Sequence, residues 1–386
     1  MKKIFAAIIC LLLFALTSCK GGGSNAEMPS ELILAPSTGY RYIYRTDCGT
    51  GLLHKKDCFL WYYDYESGVD IPLCSNPSCS HNNDSCYAYF PTWTFTYNNV
   101  FYLYSHEYEW SEDEGFIYQT LITAADLGSQ TRREALWLDY ETTGAYAYGD
   151  KLFLVCRDGY YLDGDILWAN PDRGRVYMME ISLDTMEVSY QSECLADGLF
   201  ANAQLWGVFD GELYFRISWY DEYDESIPLI DQPATNRYVK YDLTTHDITD
   251  SSVGEKFTFA ISGDCMITYD NCTTSFVTPD KTCELISEVA TTGAPVFPWI
   301  KANNEVYFTV YGNASSIFKY DLADEKLYEA EYDGLNDDWL VAVPTDGYVF
   351  AAENDEIYTV KKEDIQFSEI DGDRYNEVCE NYNAAP

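Results

Sequence analysis

Short apolar runs, each introduced by a dipeptide of Asn, Asp or Gly, recur along this chain. The runs are Val100–Tyr104, Leu152–Val155, Leu213–Phe215, Met266–Ile267, Val306–Phe308 and Tyr348–Phe350, and the dipeptides before them are Asn98-Asn99, Gly149-Asp150, Asp210-Gly211, Gly263-Asp264, Asn303-Asn304 and Asp346-Gly347. Tight turns favour Asn, Asp and Gly, and apolar runs of this length between turns are typical of β-strands. The turns recur at intervals of roughly 40 to 60 residues, which is the period of a four-stranded propeller blade.

A second marker follows the apolar runs in several of these units. Tyr241-Asp242-Leu243, Tyr320-Asp321-Leu322 and Ser182-Leu183-Asp184 are each followed by an apolar residue five positions after the leucine, at Ile248, Leu327 and Val188, and Tyr63-Asp64-Tyr65 is a degenerate copy. We interpret this marker as the turn that leads from the third strand of a unit into the fourth.

The two markers together divide the chain into seven units. These span about 31–75, 89–139, 140–198, 200–252, 255–292, 295–333 and 338–370. The pattern predicts an all-β fold, a seven-bladed β-propeller of four-stranded antiparallel blades. An eight- or six-bladed propeller and a pair of β-sandwiches are the alternatives.

The amino terminus has the features of a bacterial lipoprotein signal. Two lysines precede an apolar stretch that is short for a membrane span, and it ends in Leu16-Thr17-Ser18-Cys19, a lipobox whose cysteine receives the lipid. A flexible Gly- and Ser-containing segment follows. We therefore predict a signal peptide over 1–18, a tether lipid-anchored at Cys19 over 19–30, a propeller over 31–370 and a tail over 371–386. The expected location is the outer face of the cell membrane.

Charge limits the partners of the chain. It carries 63 acidic and 24 basic residues, a net charge of −39, whereas phosphate backbones bind to basic surfaces. We expect no nucleic-acid partner. A large net charge also keeps exported proteins soluble, and we expect a monomer.

Sequence signatures of catalysis are scarce. The chain has no Gly-x-Ser-x-Gly elbow, no His-Glu-x-x-His motif and no Gly-rich phosphate loop, and it holds only four histidines. Pairs of carboxylates can hydrolyse glycosides, but among 63 acidic residues their presence is not informative.

The longest insertions are predicted between the second and third strands of units one to four, which places them on one face of a propeller. We assign them to Thr46–Asp57, Ser105–Gly115, Arg157–Arg175 and Ser218–Asn236. They combine aromatic residues, which stack on sugars and peptides, with carboxylates, which accept hydroxyl groups or hold Ca²⁺. The predicted ligand-binding residues are Tyr108, Trp110, Tyr160, Tyr161, Trp168, Trp219, Tyr220 and Tyr223. The alternative is that these aromatic residues only pack the loops together.

A cysteine cluster joins unit one to unit two. Cys74, Cys79, His81 and Cys86 offer three thiols and an imidazole within 13 residues, a set that suits tetrahedral Zn²⁺. The spacing is not that of a standard zinc finger, so a loop stapled by one disulfide with one free thiol is slightly favoured over zinc. Disulfides between Cys48 and Cys58, and between Cys265 and Cys272, are further hypotheses among the 13 cysteines.

The Tyr-Asp-Leu units, the lipobox and the segment Leu73-Cys74-Ser75-Asn76-Pro77-Ser78-Cys79-Ser80-His81 with Cys86 together resemble surface lipoproteins of anaerobic Gram-positive bacteria. That family carries a propeller-type domain of unknown function, distantly similar to the YWTD propellers of the low-density-lipoprotein receptor. The resemblance implies a propeller fold and a surface location, and no established activity.

These observations favour a non-enzymatic module at the cell surface that binds a glycan, a peptide or an envelope protein. A carboxylate-dependent propeller glycoside hydrolase or lyase is the alternative.

Overall fold

The computed structural model describes residues 45–384, except 48–50, 75, 77, 91–92, 98–99, 112–114, 127–130, 159, 164–165, 170–173, 223–231, 256, 263–264, 271, 289–295, 311–312, 332–338, 343–346 and 352–356. The predicted signal peptide, Cys19 and the tether lie outside the described residues. Of the helices among the described residues, none combines the length and the apolarity that a membrane crossing requires.

The described residues form mainly antiparallel sheets that follow one another along the chain. Sheet 1 contains β1 (Arg45–Asp47), β2 (Gly51–Lys56), β3 (Phe59–Asp64) and β4 (Val69–Pro72). Sheet 2 contains β5 (Trp93–Tyr97), β6 (Val100–Ser111), β7 (Gly115–Asp126) and β8 (Thr131–Leu138).

Sheet 3 is the most elaborate. It contains β9 (Glu141–Tyr148), β10 (Lys151–Asp158), β13 (Arg175–Ser182), β14 (Glu187–Gln191) and the short β15 (Ala196–Asp197). A separate hairpin of β11 (Tyr160–Asp163) and β12 (Ile166–Ala169) interrupts it between β10 and β13.

Sheets 4 and 5 return to four strands each. Sheet 4 contains β16 (Leu199–Phe209), β17 (Glu212–Tyr220), β18 (Thr235–Asp242) and β19 (Ile248–Asp250), and a 3-10 turn follows at Ser252–Glu255. Sheet 5 contains β20 (Phe257–Ser262), β21 (Cys265–Asp270), β22 (Thr273–Val277) and β23 (Thr282–Ile286).

The last sheets exchange a strand. Sheet 6 contains β24 (Val296–Ala302), β25 (Glu305–Val310), β26 (Asn313–Asp321) and β27 (Lys326–Glu331), and sheet 7 contains β28 (Trp339–Ala342), β29 (Gly347–Ala351) and β30 (Ile357–Lys361). After a 3-10 turn at Lys362–Asp364, β31 (Ser368–Ile370) returns to pair with β27. The predicted seventh unit is therefore wrong at its end, because its final strand belongs to sheet 6.

The recurring sequence markers have a common structural basis. Three of the six turn dipeptides join the first strand of a sheet to the second: Gly149-Asp150, Asp210-Gly211 and Asn303-Asn304. The other three lie wholly or partly outside the described residues. At the second marker, the Asp242 carboxylate accepts the N–H groups of Thr244 and Thr245, and the Leu243 N–H donates to Gly211 O. Leu183 and Leu322 make the same backbone bond, to Asp150 and Asn304. The marker thus fastens the turn between strands three and four to the turn between strands one and two.

Burial decreases from the second strand of a sheet to the fourth. In sheet 3, the side chains of Leu152 to Cys156 on β10 are all buried, whereas β14 is largely exposed. A strand buried on both faces reads as a continuous apolar run, since neither of its faces meets water. This explains why the second strands were the clearest signals in the sequence.

The apolar contacts run from each sheet to the next. Clusters of buried side chains lie between sheets 1 and 2, 2 and 3, 3 and 4, 4 and 5, and 5 and 6. Another cluster joins the two ends of the array, because Leu52 and Tyr63 of sheet 1 pack against Ile357 of sheet 7. The first strands also contact each other in the order β9, β16, β20, β24, β28 and β1.

The predicted tail contains a helix. Residues of α1 (Gly372–Ala384) pack into the cluster of sheets 5 and 6 through Tyr375, Val378 and Cys379, all at most 1% exposed. Arg374 at its first turn holds the Glu329 carboxylate of β27 with two hydrogen bonds of 2.7 and 2.6 Å.

Candidate metal centre and projecting hairpins

The cysteine segment forms a loop closed at its base by one residue of sheet 1. The Leu73 N–H donates to Leu60 O at 3.0 Å, and the Leu60 N–H donates to Ala88 O at 2.8 Å. The chain therefore leaves the edge of β3 after Leu73 and rejoins it at Ala88. We call the intervening residues 74–87 the cysteine loop.

Four side chains converge within the cysteine loop. The Sγ atoms of Cys74, Cys79 and Cys86 and a ring nitrogen of His81 all lie within 4.8 Å of one another. His81 Nδ1 is 3.4 Å from Cys86 Sγ. Cys74 and Cys86 are buried, and Cys79 and His81 are half-buried. The structure thus brings together the four residues that the sequence analysis grouped.

Short backbone turns set the positions of the thiols. The Cys79 N–H donates to Asn76 O and the Cys86 N–H donates to Asn83 O. The side-chain carbonyl oxygens of the same two asparagines accept the N–H groups of Ser78 and Ser85. Asn favours such turns because its side chain bonds to the backbone two residues ahead.

The sulfur environments differ in polarity. The backbone N–H of His81 donates to Cys79 Sγ at 3.4 Å and lowers the pKa of the Cys79 thiol. Burial raises the pKa of Cys86 to about 12, although the backbone N–H of Ala88 donates to its sulfur. In both cases the donor is the residue two positions after the cysteine.

Arg132 links the cysteine loop to sheet 2. Its guanidinium lies on β8, donates to the carbonyl oxygens of Tyr87 at 2.8 Å and Tyr89 at 2.5 Å, and packs 4.8 Å from the centre of the Phe90 ring. It also lines a depression together with Cys86. Arg132 could not be predicted from the sequence, because no motif on β8 marks an arginine that acts on a loop 45 residues earlier.

The structure bears on the predicted disulfides. Cys74, Cys79 and Cys86 are all free thiols. The predicted Cys265–Cys272 disulfide is wrong, because Cys265 begins β21 and Cys272 lies beyond the other end of this strand, in the connection to β22. Cys58 is also free, and Cys48 lies outside the described residues.

The predicted insertions include two ordered hairpins. β8 pairs with β7 from Thr120 and β5 pairs with β6 as far as Tyr104, but β6 and β7 stay paired to Ser111 and Gly115. Residues 106–111 and 115–119 therefore form a two-stranded extension of sheet 2, which we call the β6–β7 ribbon. The separate β11–β12 hairpin contacts β7 through β11.

One predicted insertion is wrong. Residues 46–57 contain β2, and the connection from β2 to β3 is the tight turn Asp57-Cys58, both residues having positive φ. The apolar residues Leu52 and Leu53, fully buried, belong to the core. The insertions are thus confined to sheets 2, 3 and 4.

Most of the predicted ligand-binding aromatic residues lie on these hairpins. Tyr108 and Trp110 are in β6, Tyr160 and Tyr161 in β11, and Trp168 in β12, where it is the register partner of Tyr161. The structure describes their backbone only. Tyr223 lies outside the described residues.

Trp219 and Tyr220 have structural contacts. Trp219 packs against the cluster between sheets 3 and 4, its Nε1 donates to Asp221 Oδ1 at 3.1 Å, and a Cβ on Gly198 would lie 2.7 Å from its ring. Tyr220 packs edge-on against Phe200, with ring centres 6.1 Å apart. These contacts agree with the alternative that the aromatic residues pack the loops together.

Carboxylates do not supply a second metal site among the described residues. There, the Cys/His cluster is the one group of three or more potential ligands that converges. Four acidic residues of the predicted insertions, Glu112, Asp113, Glu114 and Asp165, lie outside the described residues.

Comparison with known proteins gives structural likenesses only. No protein-family model matches the chain, and no curated protein matches it. It is similar to oligogalacturonate lyase from Vibrio parahaemolyticus, with 12% identity, a TM-score of 0.45 and coverage of 86% of this chain and 92% of that one.

An oligogalacturonate lyase in complex with manganese has 10% identity and a TM-score of 0.44, over 82% of this chain and 87% of that one. The β-propeller domain of the Trilobed protease from Pyrococcus furiosus has 12% identity and a TM-score of 0.41, over 88% and 98%. With TM-scores below 0.5, these likenesses support no inference about the activity of this chain.

Proposed function

We propose that the seven sheets are the blades of a closed β-propeller, held at the outer face of a bacterial membrane by a lipid on Cys19. We propose further that the protein is a binding module that engages a glycan or protein ligand through hairpins on one face. The contacts that return from sheet 7 to sheet 1, together with the meander order inside each sheet, support the ring.

The β6–β7 ribbon is the main support for the proposed binding role. An isolated two-stranded hairpin is at best marginally stable in water, and the adjacent β11–β12 hairpin supports this one. The equivalent connections of sheets 5 and 6 span only residues 271–272 and 311–312. The scaffold therefore needs no such extension, and loops on rigid scaffolds commonly carry binding sites.

The aromatic content of the two hairpins fits a ligand-binding surface. Trp110 on the ribbon and Trp168 on β12 provide large ring faces, and Tyr108, Tyr160 and Tyr161 lie on the same hairpins. Aromatic rings bury a large area and stack on sugar rings or on peptide side chains.

A ribbon variant tests the binding role. We expect full-length wild-type protein in detergent to bind members of a glycan and peptide array. The signal should fall at least tenfold when residues 106–119 are replaced by Asn-Gly, and also in Trp110→Ala/Trp168→Ala. Trp137→Ala is the matched control, because Trp137 is an exposed tryptophan on β8 of the same sheet. Array binding that survives both changes, with thermal unfolding also unchanged, would reject the proposed face.

The anchor has a separate test. In cells, Cys19→Ser should abolish incorporation of labelled palmitate and release the protein from the membrane fraction. Cys194→Ser, at an exposed cysteine of sheet 3, is the control and should leave both unchanged. Labelling that persists in Cys19→Ser would overturn the anchor and would leave the binding result intact.

A further inference from the structure

The cysteine loop has features that ligand binding does not explain. We propose that Cys74, Cys79, His81 and Cys86 bind a single zinc ion, which acts as a structural brace between sheets 1 and 2.

The geometry of the cluster matches one tetrahedral ion. Zinc binds sulfur at about 2.3 Å and imidazole nitrogen at about 2.0 Å, so neighbouring ligand atoms in a tetrahedron lie roughly 3.5–3.8 Å apart. The 3.4 Å between His81 Nδ1 and Cys86 Sγ is close to this value, and the 4.8 Å limit on all pairs leaves only a small contraction on binding. Four protein ligands fill the coordination sphere, which is the composition of a structural site and leaves no position for a reacting water.

The chemistry of the donors selects the metal. Three thiolates and an imidazole favour zinc, whereas Ca²⁺, Mg²⁺ and Mn²⁺ prefer oxygen ligands. A disulfide would use two of the three thiols and leave the third beside His81. All three sulfurs are unbridged and directed to one point, which a disulfide does not require.

The surroundings of the sulfurs provide a second line of support. The N–H of His81 donates to Cys79 Sγ, and the N–H of Ala88 donates to Cys86 Sγ. Such bonds stabilise thiolates, and polar groups around a metal site orient its ligands. His81 also has a φ of +51°, a conformation that few residues other than glycine adopt, and at this φ its ring faces Cys86.

Arg132 balances the charge of the occupied site. One Zn²⁺ with three thiolates has a net charge of −1, and the Arg132 guanidinium lines the same depression as Cys86. Because Arg132 belongs to β8 and holds two carbonyl oxygens at the end of the cysteine loop, the metal and the arginine together join sheet 1 to sheet 2. Apart from its cysteines and Tyr87, the loop consists mainly of small and polar residues, so a metal would supply cross-links that its side chains do not.

The test is elemental analysis of the full-length protein, purified in detergent without chelator. We expect about one zinc per chain in the wild type and less than a tenth of that in Cys79→Ser and in His81→Ala. Both residues are half-buried, so these variants retain the fold better than changes at buried Cys74 or Cys86. Cys194→Ser is the control and should keep its zinc.

A spectroscopic measurement separates site binding from loose association. After zinc is exchanged for Co²⁺, the wild type should show the intense visible bands of tetrahedral cobalt and a sulfur-to-cobalt charge-transfer band, both lost in Cys79→Ser. Wild-type protein without zinc, zinc retained in Cys79→Ser/His81→Ala, or a disulfide between two of the three cysteines found by mass spectrometry would each overturn the proposal. None of these results depends on ligand binding at the β6–β7 ribbon.

Discussion

Single residues in left-handed backbone conformation recur at one position of this fold. In the turns between strands three and four, Gly68, Met186, His246 and Glu325 all have φ between 56° and 66°. Each lies three positions after the leucine of the second sequence marker, or after Tyr65 in the unit where tyrosine replaces that leucine. Three of the four are not glycine, so the requirement for a left-handed residue could not be recognised from composition. The capping bonds around each turn maintain a conformation that costs side-chain-bearing residues about 1 kcal/mol or more.

Gly149 offers a direct measurement of this cost. It has a φ of 58° in the turn between β9 and β10, and a Cβ there would meet nothing within 4 Å. We expect Gly149→Ala to lower the free energy of unfolding by about 1 kcal/mol through backbone strain alone. Urea unfolding measures it. Gly372→Ala is the matched control, because that Cβ is equally free of contacts and the φ of Gly372 is not left-handed; equal effects of the two changes would contradict the expectation.

Glu141 should make stability depend on pH. It lies opposite Arg157 on β10, and burial raises its pKa to about 7 while the guanidinium opposes this. The pKa of a glutamate carboxyl in an unfolded chain is near 4.5. Between pH 4.5 and about 7, the folded state therefore keeps a proton on Glu141 that the unfolded state has released. The stabilisation that comes from this raised pKa is complete below pH 4.5 and is lost as the pH rises through about 7.

We expect Glu141→Gln to remove about 2–3 kcal/mol of the loss in unfolding free energy that the wild type shows between pH 5 and pH 8. Denaturant titrations at both pH values measure it. Glu187→Gln, at an exposed carboxylate on β14, should keep the wild-type pH dependence. An identical pH dependence of wild type and Glu141→Gln would show that the Glu141 carboxyl does not titrate there.

At the scale of elements, strand positions followed from the sequence more readily than strand partners. The second strands are buried on both faces, so their apolar runs stand out, and turn dipeptides mark where they begin. No sequence signal marked the pairing of β31 with β27, because strand pairing depends on which sheet has an unpaired edge strand nearby. Helix α1 was also missed. Of its residues up to Glu380, three enter the core, and the acidic, polar residues around them resemble a tail.

The Arg374–Glu329 pair should account for much of the docking of α1. Glu329 is 9% exposed, and it also accepts a hydrogen bond from Ser316 Oγ at 2.8 Å. Removing one partner of a nearly buried pair leaves an uncompensated charge, so we expect Arg374→Ala to lower the free energy of unfolding by about 2–3 kcal/mol. Chemical denaturation checks this.

The control is Arg374→Ala/Glu329→Gln, which removes the stranded charge and should regain part of the loss. The Arg374 guanidinium and the Ser316 hydroxyl lower the pKa of Glu329 against the effect of burial. The stabilisation of the pair is therefore present above the pKa of an unfolded glutamate and is lost as the pH falls. A cost that does not decrease at low pH would show that α1 docks without this pair.

At the scale of the whole molecule, residues near the two ends of the described chain contact each other. Leu52 and Tyr63 of sheet 1 pack against Ile357 of sheet 7. No local pattern predicts this contact, because each of these residues only indicates a buried strand. It arises because the last sheet of the chain packs beside the first.

A double-mutant cycle measures how strongly the contact between sheets 1 and 7 contributes to the free energy of unfolding. We expect Leu52→Ala and Ile357→Ala to be coupled by at least about 0.5 kcal/mol in unfolding free energy, because the side chains share one apolar cluster. Leu52→Ala with Val239→Ala is the control, since Val239 lies in the cluster between sheets 3 and 4 and the two effects should add. Additivity in both cycles would mean that sheets 1 and 7 do not stabilise each other.

By itself, the sequence determined the β class of the fold, the position of most strands and the identity of the four clustered Cys and His residues. Local chemistry is sufficient for these, because turns favour Asn, Asp and Gly, buried strands are rich in apolar residues, and thiols with an imidazole form a recognisable donor set. Only the tertiary structure decided that Arg132 reaches the cysteine loop, that β31 joins sheet 6 and that Leu52 meets Ile357. These depend on packing between residues far apart in the chain, where many partners are chemically equivalent and geometry alone selects one.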